Sequence, residues 1–177
     1  MDWIPTRATA KGRLVLAALE AFGARGYAGV PVADLARAAE TTTGPLYHHF
    51  ESKLGLYAFV RADVERRVVD RMEGALAVRP HPGDDPVGTA LLVAFDYVTR
   101  AGFARMLSEP HPGGGSDPIA ALLGQRLDAG ATPLGEMLAA AWRAALAAVA
   151  AGTPPEVARE ALCALLAGAG AARPARR

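Results

Sequence analysis

Thr42-Thr43-Gly44-Pro45-Leu46-Tyr47-His48-His49-Phe50-Glu51-Ser52-Lys53 is the stretch on which the fold of this 177-residue chain turns. Gly44-Pro45 opens a helix, because proline already has a helical φ and lacks the N–H that a first turn leaves unused. Leu46 and Phe50 stand one turn apart and anchor that helix inward. Thr43, Gly44, Pro45, Tyr47 and His48 are then turned outward. Ser52 caps a further helix, which runs without a breaker past Leu56, Phe59, Val60 and Val64 toward Met72 and Leu76, roughly 25 residues or ~38 Å.

Upstream, Leu14, Val15, Ala18, Leu19 and Phe22 form one helical stripe ending at Arg25-Gly26, a positive last turn before a left-handed cap. That predicts a first helix from about Thr9 to Arg25. Pro31 opens a second, through Leu35, Ala36 and Ala39, which Thr41-Thr42-Thr43 interrupts. Two short helices joined by a tight polar turn and packed on a longer first helix make the helix-turn-helix plan, whose second helix enters the DNA major groove. A helix from Thr43 to Phe50 is only ~12 Å long, and its diameter matches a groove about 12 Å wide.

The outward face has the chemistry such a groove needs. Thr42 and Thr43 bring hydroxyls to a helix start that attracts phosphate, Tyr47, His48 and His49 add a phenol and two imidazoles, and Lys53 is placed to clamp a phosphate. The competing reading makes Tyr47 a half-buried core edge and His48-His49 a solvated pair. A metal site at His48, His49 and Glu51 is disfavoured, because neighbouring helical side chains diverge by ~100°.

Downstream the chain also reads as helix. Asp85-Pro86, Asp117-Pro118, Thr132-Pro133 and Thr153-Pro154 each pair a capping side chain with proline, and Glu156 completes a capping box with Thr153. Pro110 to Gly115 is an irregular connection; a phosphate loop there would need a preceding strand and a lysine, and it has neither. Ala140, Ala141, Ala144, Ala145, Ala147 and Ala148 give the helix of Leu134 to Ala150 a surface that a second helix can approach closely. Phe95, Phe103, Met106, Leu107 and Trp142 are the large apolar candidates for a ligand cavity, with plain core as the competing reading. Asp96/Arg100 and Arg105/Glu109, four apart, are expected to form surface ion pairs.

The composition, 51% hydrophobic and 21% charged with a net charge of +1, fits a folded protein and leaves no bulk charge from which to infer nucleic-acid binding. Residues 1–60 hold six basic against five acidic side chains, and residues 61–177 hold thirteen of each. Weak non-specific DNA binding with a shallow salt dependence follows, and loss of Lys53 is expected to lower the salt slope by about one. Cys163 is the single cysteine, so no internal disulfide forms. No apolar run is long enough to cross a membrane, and the first residues lack the basic-then-apolar order of a secretory signal, so the expected location is the cytoplasm. No spacing of nucleophile, base, paired carboxylates or metal ligands suggests an enzyme, and no cofactor is expected.

Leu14 to Phe22 through Gly26-Tyr27, Val32 to Ala36, and Thr42 to Lys53 together resemble the N-terminal domain of tetracycline-repressor (TetR) family regulators, over roughly residues 9–60. The resemblance implies an all-α protein, with a three-helix helix-turn-helix DNA-binding domain at 1–52 and a helical ligand-binding and dimerisation domain at 53–177. It implies a homodimer formed by helices near 134–151 and 154–170, which holds double-stranded operator DNA and is released by a small-molecule effector. Carried over by position, Thr42, Thr43, Gly44 and Pro45 correspond to the base-reading segment, and Tyr47, His48 or His49, and Lys53 to phosphate contacts. Glu40 stands where the family usually has its turn glycine, so either this residue adopts an uncommon conformation or the turn differs, at a cost on the order of 1 kcal/mol. Ala33, Val30 and Thr43 replace a basic or polar contact, a cap and a common lysine, and Glu40, Ala33 and Thr43 motivate an alternative: a helix-turn-helix protein that has lost its DNA affinity and works through protein contacts.

Overall fold

The computed structural model describes residues 7–79, 81, 84–111, 117–127 and 133–171. Among them the chain forms helices and no strand. α1 (Ala10–Arg25) starts where the Thr9 side chain accepts from Gly12 N at 3.0 Å. It stops at Gly26, whose φ of 69° and ψ of 179° fall in a region open only to glycine, a more extended ending than the left-handed cap expected. α2 (Val32–Ala38) and α3 (Gly44–Phe50) follow, and then α4 (Lys53–Ala77), 25 residues long, with Ser52 accepting from Gly55 N at 3.0 Å.

The turn between α2 and α3 is a Schellman cap. Thr41 N donates to Ala36 O at 3.0 Å and Glu40 N to Arg37 O at 3.1 Å, with Glu40 between them at φ 49°. The same two-bond pattern closes α5 (Pro86–Arg100) and α8 (Leu134–Ala150), with Gly102 and Gly152 at the positive-φ position. Glu40 therefore carries a backbone strain that glycine relieves elsewhere in the same chain.

α6 (Ala104–Ser108), α7 (Pro118–Leu127) and α9 (Pro155–Ala171) complete the order. Of the expected caps, Asp117 accepts from Ile119 N and Ala120 N, whereas Asp85 sits at the N-cap of α5 without a side-chain cap bond. α9 begins one residue late for a Thr153 cap: Pro154 O accepts from Val157 N and Ala158 N, while Thr153 N closes α8 by donating to Ala148 O. Thr132, Pro112 to Gly115 and the chain ends lie outside the described residues. The expected ion pairs do not form: Asp96 bonds Arg159 of α9 at 2.8 Å, Arg105 caps Ala150 O, and Glu109 turns toward Tyr27.

One hydrophobic core runs the length of the molecule, from Leu14, Phe22 and Leu46 through Leu56, Val64 and Met72 to Leu91, Phe95, Leu123, Trp142 and Leu162. α1 packs on α2, α3, α4 and α6, so the long helix and the short α6 both touch the N-terminal bundle. The α1–α6 contact is backbone-close at Gly23, where a Cβ would stand 2.8 Å from Gly102 O, while Gly74 on α4 has open space around it. Gly23→Ala is expected to lower the unfolding free energy by about 1–3 kcal/mol through overpacking, whereas Gly74→Ala should raise it by up to about 1 kcal/mol through helix propensity. Urea denaturation of both variants checks this; equal effects would refute the close approach.

Candidate nucleic-acid interface

α3 is held from beneath. Leu46 is fully buried and Phe50 nearly so, and Phe50 meets Phe59 edge-on with ring centroids 5.4 Å apart while Lys11 Nζ lies 5.8 Å from its ring. What remains faces outward: Thr42, Thr43, Gly44, Tyr47, His48 and His49 are exposed, Tyr47 at 52%, and Pro45 is half-buried. The expected reading face is thus brought together on one side of one helix. His48 and His49 stack edge-on at 4.8 Å, and among the described residues no group of three His, Cys, Asp or Glu side chains gathers as a metal site. Thr43 occupies the N-cap without a side-chain cap bond, which leaves its hydroxyl available.

Lys53 sits differently from the rest. Its ammonium donates to Tyr27 O at 2.8 Å and Val30 O at 3.1 Å and lies 4.1 Å from the Tyr27 ring centroid. It ties the first turn of α4 to the loop between α1 and α2. An ammonium has three N–H donors, so one is left for a phosphate.

The other side of that loop is held by Glu109, just after α6. Both its carboxylate oxygens accept from Tyr27 N, at 3.1 and 3.2 Å, and the Tyr57 phenol donates to Oε2 at 2.5 Å. Gly26 makes this approach possible, since a Cβ there would stand 2.1 Å from Glu109 Oε1. Burial and the Glu109 carboxylate push the Tyr57 phenol well above its ordinary range, so it keeps its proton and stays a donor. Tyr27 is therefore gripped through its N–H from the α6 end and through its C=O from α4. Sequence spacing gave no sign of this, because the partners are 82 and 26 residues away.

On the surface, Asp34 ties α2 to the last turn of α1. It bonds Arg25 at 2.9 Å and also Arg37. The Arg25 hydrogen bond outweighs the opposing desolvation and, together with the charges of both arginines, holds the Asp34 carboxyl below the usual carboxylate range. A depressed folded pKa contributes stability that is present at neutral pH and is lost as pH falls through it.

The candidate ligand residues are packed rather than open: Phe95, Met106, Leu107 and Trp142 are buried in the core, Phe103 is half-buried, and Trp142 Nε1 donates to Leu91 O at 3.1 Å. A groove of about 430 Å³ lies elsewhere, between α4 and α5, lined by Arg71, Val93, Tyr97, Arg100 and Ala101. Beneath α6 sits a buried polar cluster that sequence reading missed. Arg61 and Glu65, 1% and 2% exposed, pair at 3.0 Å, and His111 and Arg143 close around Glu65 at 3.3 and 3.7 Å. Two charged residues inside an otherwise apolar stripe of α4 were its only trace.

Replacing Glu40 by glycine is expected to raise the unfolding free energy by up to about 1 kcal/mol, the αL strain being partly offset by the added freedom of the unfolded chain. A drop in stability on chemical denaturation would mean that the Glu40 side chain does something the backbone geometry omits.

Comparison with known proteins agrees with this arrangement. Residues 14–59 match the family model described as bacterial regulatory proteins, tetR family. The HTH-type transcriptional regulator CymR of Pseudomonas putida is 34% identical over 87 residues, 49% of this chain and 42% of that protein, so the match spans less than half of the relative's length. In fold, a TetR-family transcriptional regulator from Pectobacterium atrosepticum is similar, with a TM-score of 0.65 at 23% identity, covering 91% of this chain and 93% of that one. A TetR-like transcriptional regulator from Rhodococcus sp. RHA1 gives 0.61 at 22% identity, covering 95% and 99%. Residues 14–59 thus resemble the tetR family of bacterial regulatory proteins, and the chain as a whole shares the all-helical fold of the solved regulators.

Proposed function

We propose that the protein is a dimeric transcriptional repressor that holds operator DNA through α3 and is released by a small, mainly apolar effector. Residues 1–52 are the reading unit and residues 53–177 the regulatory and dimerising one. The observation that carries the reading is the division of α3 into two faces, with Leu46 and Phe50 inside and Thr42, Thr43, Gly44, Tyr47, His48 and His49 outside. Thr42 to Pro45 read base edges, and Tyr47, His48, His49 and the remaining donor of Lys53 hold phosphates. The CymR match, an HTH-type transcriptional regulator by name, supports this over the part it aligns.

Dimerisation is assigned to α8 and α9. Both expose small and apolar residues at helical spacing: Met137, Ala140, Ala144 and Ala147 on α8, and Val157, Ala161, Ala164 and Leu165 on α9. Met137 and Leu165 are more than 60% exposed, which suits burial against a second copy. A two-fold axis there presents two copies of α3 to one DNA duplex, in what is for a bacterium the cytoplasm; none of the described helices is long and apolar enough to cross a membrane.

Effector control uses the path from the regulatory core to α3. An effector that parts the packed side chains of Phe95, Phe103, Met106, Leu107 and Trp142 would shift α4 and α6, whose ends grip Tyr27, with a coupling typically of 1–3 kcal/mol. A direct test pairs sedimentation with fluorescence anisotropy on a duplex selected from random sequence. Tyr47→Ala is expected to remain dimeric and weaken binding about tenfold, or 1.4 kcal/mol. Leu165→Glu is expected to yield monomers with far weaker binding, and Lys53→Ala to lower the melting temperature while reducing the salt slope by no more than about one. Full affinity in both Tyr47→Ala and Leu165→Glu would overturn the reading.

A further inference from the structure

The groove of about 430 Å³ between α4 and α5 carries two guanidinium groups, one from each helix. On the α5 side Val93, Tyr97 and Ala101 recur every fourth residue and make an apolar row, with Arg100 beside it; Arg71 comes from α4. Arg71, Arg100 and Ala101 are exposed, Val93 is 38% exposed and Tyr97 is half-buried. The Arg71 guanidinium carbon lies 3.7 Å from the Tyr97 ring centroid, and its Nη1 donates to Arg67 O at 2.9 Å. Arg100 Nε donates to Asp96 O at 2.9 Å. Each group is steadied by a carbonyl one turn back on its own helix and keeps most of its N–H donors for something else.

The nearby carboxylates are engaged by other arginines. On α4, Asp63 pairs with both Arg66 and Arg67, and on α5 Asp96 pairs with Arg159 of α9. Asp70 and Glu73 flank Arg71 along α4, yet among the described residues neither Arg71 nor Arg100 takes part in an ion pair. A lone surface arginine is ordinary, because water satisfies it. Two of them at one groove with an apolar row between raise the local potential, and the low-dielectric wall weakens its screening. A cation is repelled there, and a neutral apolar molecule leaves both guanidinium groups as they were in water. An anion with an apolar body suits both features: its oxygens meet the N–H forks, and its body covers Val93, Tyr97 and Ala101. The exposed carboxylates of Asp70 and Glu73 oppose a dianion more than a monoanion, which favours a carboxylate over a phosphate. Size points to a small molecule. Ligand sites begin at roughly 300 Å³, whereas a protein partner needs roughly 800 Å² on each side, far beyond five lining residues.

We propose that the α4–α5 groove binds a small organic monocarboxylate with a flat apolar body, its charged group held by Arg71 and Arg100 and its body laid along Val93, Tyr97 and Ala101. Arg71 fits such a ligand in a second way. One face of its planar guanidinium rests on the Tyr97 ring, and the other is available for a flat ring to stack on. The site shares no residue with the packed core at Phe95 and Trp142 or with the exposed faces of α8 and α9, so it stands whether or not those serve an effector and a dimer.

Calorimetric titration of the full chain without DNA tests this with probes of one shape and different charge: 2-naphthoate, the neutral 2-naphthamide and the cation 2-naphthylmethylammonium, with acetate as a carboxylate lacking the ring. 2-Naphthoate is expected to saturate one site per chain and to bind at least about tenfold more tightly than each of the other three. Arg71→Gln and Arg100→Gln are each expected to weaken it about tenfold, whereas Arg66→Gln, which removes a charge of the same helix that is already paired with Asp63, leaves it unchanged. Val93→Glu sets a carboxylate in the groove at an exposed position and is expected to abolish binding with an unchanged far-UV circular dichroism spectrum. Equal affinity for 2-naphthamide or acetate, full affinity in the Arg71→Gln/Arg100→Gln double variant, a loss in Arg66→Gln as large as in Arg71→Gln, or no saturable binding of 2-naphthoate overturns the proposal.

Discussion

Leu46 and Phe50 are buried against α1 and α4, and the remaining surface of α3 has nowhere to go but solvent. A seven-residue helix is marginal by itself, since nucleation costs more than so few hydrogen bonds return. Burial of one leucine and one phenylalanine, each contributing about 1.5–3 kcal/mol, is what keeps α3 helical and fixes which side it shows. The outward face of α3 is therefore a consequence of packing, and the same two side chains that stabilise the bundle orient Thr43, Tyr47 and the histidine pair.

That bundle is not free of the rest of the molecule. Tyr27, in the loop between α1 and α2, is held by its N–H from Glu109 and by its C=O from Lys53. One attachment comes from the end of α6 and the other from the first turn of α4, the two elements that also meet at the Arg61 cluster. The C-terminal core and the loop between α1 and α2 thus share a short chain of polar contacts running from Glu65 through Arg61, Tyr57 and Glu109 to Tyr27. Glu109 thereby bonds the end of α6 directly to the loop between α1 and α2.

Much of this was legible in the sequence where the signal is local. The stripe of Leu14 to Phe22, the Gly44-Pro45 start, the Ser52 cap and the breaker-free run to Ala77 gave α1 through α4 and the outward face of α3. At Glu40 the family resemblance left either an uncommon backbone or a different turn, and the structure gives the uncommon backbone, at φ 49°. What escaped depends on distant partners. α6 is only five residues long and begins directly after the Gly102 turn, so no periodicity marks it. Arg105 and Glu109 have the spacing of an ion pair, yet each finds a better partner across the fold. Lys53 has the sequence position of a free cation, while its ammonium spends two donors on carbonyls of the preceding loop. His111, placed among prolines, acquires its meaning only when folding sets it 3.3 Å from Glu65.

The central claim is that two copies of α3 enter one duplex together. Hydroxyl-radical footprinting on a selected duplex tests it most directly. The account predicts two short protected windows on one face of the DNA, their centres a whole number of helical turns apart at about 34 Å per turn. A single window, or protection spread evenly regardless of sequence, would contradict it.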